Sequence, residues 1–262
     1  MFKKILFVLI FACTFAQPML VGNPSSPSLF KEGIFFNNKN YYLRAGYYFD
    51  NIYKSVFLDE MPTEGSTDTF FKLRSYGAIV TVNILNILDV YTLLGVSKNQ
   101  IDNQVFSNDR FSWGVGTKII FYKFNNIDLA LDGKYFRAKH NVDNFIIEDS
   151  VFPIVTPHYG FLYEEFQAAL CASYKIDMFI PYVGATYLFS TLKPYPAHIG
   201  LLRYPSPNQD IINDFKTQDT KNKNKWGAVV GISLVSKETM SLNLESRMVD
   251  QNAVNITAEI RF

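Results

Sequence analysis

From Tyr41 to the carboxyl end, apolar side chains recur at every second position, the period of an extended strand with one face in an apolar medium. Leu43, Ala45, Tyr47 and Phe49 share one face of the first such segment, and Arg44, Gly46, Tyr48 and Asp50 share the other. Further along, Trp113, Val115, Thr117, Ile119 and Phe121 oppose Ser112, Gly114, Gly116 and Lys118, while Leu129, Leu131 and Tyr135 oppose Ala130, Asp132 and Lys134. Phe166, Ala168, Leu170, Ala172 and Tyr174 lie opposite Glu165, Gln167, Ala169, Cys171 and Ser173, and Val183, Ala185, Tyr187 and Phe189 lie opposite Tyr182, Gly184 and Thr186. The last two segments set Met240, Leu242, Leu244 and Met248 against Ser241, Asn243, Glu245 and Arg247, then Val254, Ile256, Ala258, Ile260 and Phe262 against Asn255, Thr257, Glu259 and Arg261. No helical stripe interrupts the scheme beyond the first residues.

Strands are therefore predicted at 41–53, 69–83, 87–97, 110–122, 127–140, 160–175, 179–190, 225–235, 239–249 and 253–262. Connections after the second, fourth, sixth and eighth strands are tight, and include Asn125-Asn126 and Ser236-Lys237-Glu238. Those after the first, third, fifth and seventh are long, with Thr191 to Asn224 the longest. Asp250 to Asn252 should be an external connection and yet is short. Alternation alone suits a soluble sandwich as well as a membrane protein, but tight turns on one side and long loops on the other are the habit of outer-membrane barrels. The expectation is an all-β chain, a transmembrane antiparallel up-and-down β-barrel of about ten strands, with short periplasmic turns and longer extracellular loops. First and last strands should pair, because each unpaired backbone group in hydrocarbon would cost several kcal/mol. Leu201-Leu202-Arg203-Tyr204 and Ile211-Ile212 leave a further hairpin, and so twelve strands, as the alternative. Lys72 and Arg74 share parity with Ala78, Val80 and Val82, so a bulge near Ser75-Tyr76-Gly77 is expected to turn both charges inward. Pro181 is tolerable at the beginning of its strand.

Composition adds the medium. At 16% aromatic, with 24 Phe, 16 Tyr and 2 Trp, the chain exceeds the needs of a soluble core and suits two interfacial belts. After residue 20 no apolar run approaches the roughly 18 to 20 residues of a spanning helix, so a membrane would be crossed by strands. The balance of Lys+Arg 25 against Asp+Glu 24, with no basic block, argues against nucleic acid as a partner. Lys3 and Lys4, the apolar run Ile5 to Phe15 and the small-x-small site Thr14-Phe15-Ala16 predict a signal peptide over 1–16. Residues 17–262 would then be the outer-membrane barrel protein, with 17–40 as an N-terminal periplasmic segment and 41–262 carrying the strands. Cys13 falls in the segment to be removed, which leaves Cys171 without an internal disulfide partner and as a small packing side chain. A phosphate-binding glycine loop and a paired-histidine motif are both missing, so no metal or cofactor is expected.

Several short motifs, in order along the chain, resemble the chlamydial major outer membrane porin family. They are Val21-Gly22-Asn23-Pro24 with Pro27-Ser28-Leu29, Arg44-Ala45-Gly46-Tyr47-Tyr48, Thr81-Val82-Asn83-Ile84 leading to Asp89-Val90, and Phe111-Ser112-Trp113-Gly114-Val115-Gly116. Tyr163-Glu164-Glu165-Phe166-Gln167-Ala168, Ser173-Tyr174-Lys175 and Met178 to Gly184 follow, then Glu245-Ser246-Arg247, Asp250 and the closing Arg261-Phe262. The resemblance implies an outer-membrane barrel that passes small solutes, often as a homotrimer. This chain is shorter and lacks the cysteine-rich segment after the amino-terminal motif, so the family's disulfide cross-linking is not expected here.

The residues expected to line a pore are Arg44, Asp50, Lys72, Arg74, Asp89, Lys118, Asp132, Lys134, Glu165, Gln167, Glu245, Arg247, Glu259 and Arg261. Their signs nearly cancel, which predicts weak ion selectivity or an interior partly closed by ion pairs, since barrels of about eight strands are filled by side chains. Phe262, with Ile260 at the preceding alternate position, is the expected recognition signal for barrel-insertion machinery. His140, Asp143, His158 and Asp109 fall in predicted outer loops, but their spacing matches no hydrolytic motif, and no enzyme is expected. Two functions remain: passive diffusion of small hydrophilic solutes or ions, and a structural or adhesive barrel whose loops bind a host or neighbouring protein.

Overall fold

The computed structural model describes residues 22–30, 33–34, 40–58, 68–142, 144–147, 150–153, 160–194, 219–236 and 239–262. The proposed signal peptide, Asp143, His158 and the two apolar pairs offered for an eleventh and twelfth strand lie outside these residues. Among the described residues, fourteen strands and one short helix follow in order: α1 (Ser26–Leu29), β1 (Tyr41–Leu58), β2 (Thr69–Ile84), β3 (Leu88–Ile101), β4 (Val105–Phe106), β5 (Arg110–Phe124), β6 (Ile127–Asn141), β7 (Asn144–Ile147) and β8 (Ser150–Pro153). Then come β9 (Gly160–Tyr174), β10 (Phe179–Pro194), β11 (Thr220–Asn222), β12 (Trp226–Ser236), β13 (Met240–Met248) and β14 (Gln251–Arg261).

Ten of these close into an antiparallel ring: β1, β2, β3, β5, β6, β9, β10, β12, β13 and β14, with β14 returning to β1. The seam runs from Arg44 opposite Arg261 to Ser55 opposite Gln251, so the first and last strands leave no open edge. Periplasmic turns are tight because Asn86, Asn125 and Asp177, at φ 56°, 50° and 50°, take the left-handed conformation that short polar side chains tolerate best. Pro181 lies below the first β9–β10 pair, Tyr182 opposite Ser173, so its missing donor interrupts nothing on that side.

Strand lengths are unequal around the ring. A transmembrane strand needs about 9 to 11 residues. With 11, 9 and 11 residues, β12, β13 and β14 just span, whereas the 18 residues of β1 and 16 of β10 rise well beyond the outer surface. This explains the short ninth connection, since the hairpin there never leaves the interface. Above it, β11 bridges the gap by pairing with both tall neighbours, Leu58 opposite Lys221 and Thr191 opposite Lys221. On the far side, β4, β7 and β8 extend the sheet as outer hairpins.

The bulge expected in β2 is in β1 instead. Between Ile52 and Ser55 the β1–β2 register shifts, while β2 runs unbroken against β3 from Phe71 opposite Ile101 to Ile84 opposite Leu88. Alternation in β2 therefore never resets, and Lys72 and Arg74 stay on the outward face with Val80 and Val82. Both are corrections to the expected pore lining. Their physical reason is that this part of β2 stands above the bilayer, where an outward charge carries no desolvation cost.

Candidate functional site: the barrel interior

Three layers fill the lumen. At the outer end Ile52, Phe57, Phe71, Leu73, Phe136 and Tyr163 belong to one buried apolar cluster. Phe71 stacks on Tyr163 with ring centroids 4.9 Å apart, and Phe57 meets Phe71 edge-on at 5.4 Å. No sequence argument anticipated this layer, although Phe57, Phe71 and Tyr163 share inward parity with polar residues on their strands. An apolar residue on the predicted polar face was the available signal.

The middle layer is polar and charged. Lys134 Nζ donates to Gln167 Oε1 at 2.8 Å and lies 3.7 Å from Glu165, which accepts the Tyr163 hydroxyl. With the Gln251 amide oxygen turned towards it, Arg247 donates through Nη1 and Nη2 at 3.0 and 3.2 Å, and its Nε is 3.9 Å from Glu245. Tyr182 donates to Glu245 at 2.8 Å, and Tyr91 donates to Asp132, which lies 3.9 Å from Lys118 Nζ. Asp50 is buried on the same inner surface. Two tyrosines need glycine beside them: a Cβ on Gly116 would lie 2.3 Å from the Tyr91 ring, and one on Gly231 would lie 2.2 Å from that of Tyr182. At the tip of the short ninth connection, burial raises the Asp250 carboxyl above its ordinary value, opposed by Arg247 and by the Thr186 hydroxyl that donates to it at 2.7 Å.

The inner end holds the amino-terminal segment itself. Residues 22–30, within the expected N-terminal periplasmic segment, enter the inner mouth of the barrel and are tied to its wall. Gly22 donates its N–H to Glu245 at 2.6 Å, and Lys118 donates to the Asn23 carbonyl at 3.1 Å. Tyr42 and Asn83 both donate to the Pro27 carbonyl, at 3.0 and 3.1 Å, and Arg261 donates to that of Phe30. Arg44 joins the layers: it pairs with Asp89 at 2.7 Å and Glu259 at 3.2 Å, donates to Ser26, and stacks its guanidinium over Phe30 at 4.6 Å. Leu29 and Phe30 complete a small apolar cluster with Tyr42 and Ile180. Outside the single turn of α1 the segment is polar and Pro-rich, and its backbone carbonyls are satisfied by side chains of the wall.

The structure thus brings Arg44, Asp50, Asp89, Lys118, Asp132, Lys134, Glu165, Gln167, Glu245, Arg247, Glu259 and Arg261 to the interior, all buried, and leaves Lys72 and Arg74 outside. Without those two cations, the acids of the set outnumber its bases. Asp128 is also buried and pairs with Lys175 at 2.7 Å; its parity with Asp132 made it findable. A cavity of about 30 Å³, measured as space for the centres of water-sized molecules, remains among Arg44, Asp89, Tyr91, Lys118 and Ser26. One ordered water needs ~10–15 Å³ of such space, so this cavity has room for a couple of waters. His140 is buried at the outer end, bonded to Ser97 and Ser107 at 3.3 and 3.1 Å, whereas Asp109 is on the outside and accepts from Tyr76. Those two do not form a site. Cys171 is a free, buried thiol packed with Ala169, Tyr182 and Val229. Among the described residues no cluster of ligands could hold a metal ion.

Closed ring, lipid-facing apolar exterior and tight periplasmic turns define an outer-membrane β-barrel. No protein-family model matches the chain. Among curated proteins it is similar to the major outer membrane porins of Chlamydia trachomatis: serovar F at 21% identity over 395 positions, and serovar E at 23% over 393, each taking in 99% of this chain and 100% of the relative. These similarities are consistent with the resemblance to the chlamydial major outer membrane porins that its motifs indicated. Among solved structures it is similar to the outer membrane protease OmpT from Escherichia coli, with a TM-score of 0.41 and 11% identity over 88% of this chain and 100% of that one. Similarity to the translocator domain of the autotransporter NalP from Neisseria meningitidis has a TM-score of 0.42, with 9% identity over 87% and 89%.

Proposed function

We propose that this chain is a sealed, non-enzymatic surface barrel whose work is done by its wall and extracellular loops. Two observations support this reading: the buried apolar cluster around Phe71 at one end of the lumen, and residues 22–30 hydrogen-bonded to the wall at the other. A dry apolar layer of this kind would deny solutes and ions their hydration, which opposes their passage. Loops on the tall side of the ring then present a surface to a host or neighbouring protein. Ile260 and Phe262, on the outward face of the final segment, serve as the signal for the barrel-insertion machinery.

A second reading is passive diffusion of small hydrophilic solutes, favoured by the relationship to proteins named as porins. Planar-bilayer recording separates the two. Folded protein is expected to give no conductance steps where a control porin does, and a variant lacking residues 22–30 is expected to stay silent, since the apolar layer persists. Steps from the intact chain would overturn the sealed-barrel reading in favour of diffusion. For the surface role, a variant lacking 195–218 should keep its heat-modifiable gel mobility and lose adhesion of the cells that display it; unchanged adhesion would remove that role.

A further inference from the structure

Of the neighbouring pairs in the ring, β1 and β14 alone do not follow one another along the chain; they come from its two ends. Closing that seam orders the longest loop in the fold, and the entropic cost of closure grows with loop length. At its inner end the register also sets Arg44 directly opposite Arg261, both buried on the inward face. Like charges directly opposite on neighbouring strands oppose the pairing.

The amino-terminal segment reaches both of these cations. Arg44 donates through Nη1 to the Ser26 carbonyl at 3.3 Å and through Nη2 to the Ser26 hydroxyl at 3.0 Å, and its guanidinium lies 4.6 Å from the Phe30 ring centroid. Arg261 donates to the Phe30 carbonyl, and Ile34 returns its own N–H to the Arg261 carbonyl at 3.2 Å. Tyr42 of β1 receives both guanidiniums on its ring, Arg44 at 5.8 Å and Arg261 at 3.9 Å from the centroid, while its hydroxyl donates to the Pro27 carbonyl at 3.0 Å. Glu259 of β14 adds an ion pair with Arg44 at 3.2 Å. Residues 22–25, by contrast, are tied elsewhere on the wall, to Glu245 of β13, Lys118 of β5 and Ser173 of β9.

We infer that residues 26–34 are a latch across the β1–β14 seam: docked, they hold the closing pair from inside the barrel; undocked, they let the seam open from its inner end while the other strand pairs stay closed. The latch supplies a carbonyl acceptor to each of the two facing cations and apolar surface to Tyr42 between the strands. Its receptor does not exist before the ring closes, because Tyr42, Arg44 and Arg261 come from the first and last strands, so the latch docks last. An opened seam would expose unpaired backbone groups to hydrocarbon, which is the state the latch guards against. The device is independent of whether the lumen conducts.

The test is hydrogen exchange of the folded protein in detergent micelles, read by mass spectrometry. In a variant lacking residues 22–30, residues 42–49 and 256–261 should exchange about tenfold or more faster than in the parent, while residues 183–187 and 226–230 of the β10–β12 pair stay within about twofold. Equal acceleration in both pairs overturns the latch and leaves the segment as a general stabiliser. Unchanged exchange at the seam overturns it too. If the deletion variant does not reach native gel mobility, Phe30→Ala takes its place: seam exchange should rise severalfold with the β10–β12 pair unmoved, and a seam as protected as the parent's, or a rise shared by both pairs, overturns the inference.

Discussion

Arg44 and Asp89 meet across the periplasmic floor in a two-pronged pair, Nη2 to Oδ2 at 2.7 Å and Nη1 to Oδ1 at 3.2 Å, with the whole of β2 between their strands. Both side chains are 2% exposed, and the same guanidinium holds Ser26 of the amino-terminal segment. Asp89→Ala should therefore destabilise the barrel by about 3–5 kcal/mol, the usual cost of stranding one partner of a buried pair. It should also speed proteolysis near residue 26. Combining Arg44→Met and Asp89→Leu with Glu259→Gln should recover most of the loss in urea unfolding from vesicles, since the replacement removes Arg44 and both carboxylates paired with it at once.

Leu131 and Leu170 are directly paired and half exposed on the lipid face. Leu131→Arg is expected to cost about 2–4 kcal/mol, whereas Trp113→Arg should cost only about 0–1 kcal/mol plus its ring contact with Tyr135. The difference is depth: Trp113 lies opposite Arg137, at the level where charges already face outward. Folding titrations in defined vesicles would rank the two, and a reversed order would show that the depth assignment is wrong.

Gly116→Val should destabilise by about 1–3 kcal/mol, because the new side chain occupies the place of the Tyr91 ring and breaks its bonds to Asp132. Gly133→Ala is the control. No atom lies within 4 Å of its added methyl, so stability should hold or rise slightly.

Val249 adopts φ 84°, a conformation that a β-branched residue resists, in a connection held by the donation of Asn224 to its carbonyl at 3.0 Å. Its side chain is 64% exposed, so little packing is at stake. Val249→Gly should stabilise the protein by about 1 kcal/mol, read as a higher urea midpoint. A lower midpoint would show that the residue is not strained.

Alternation along the chain, together with the succession of tight and long connections, was sufficient to determine the ten crossings and their closure, because in hydrocarbon every backbone donor must be paired and every outward side chain must be apolar. Leu43 and Arg44 declare opposite faces by parity alone, and the Asn125-Asn126 turn declares a side of the membrane. Parity has no knowledge of height, however. Lys72 and Arg74 look misplaced until the ring shows that their part of β2 stands above the bilayer and that the bulge belongs to β1. Nor does parity reveal what fills a lumen: Phe57, Phe71 and Tyr163 come from separate strands, and Asn23 to Phe30 precede the first of them. Those residues come together only when the ring closes to a diameter that side chains can fill, and that diameter is a property of the assembled strands and of no single segment.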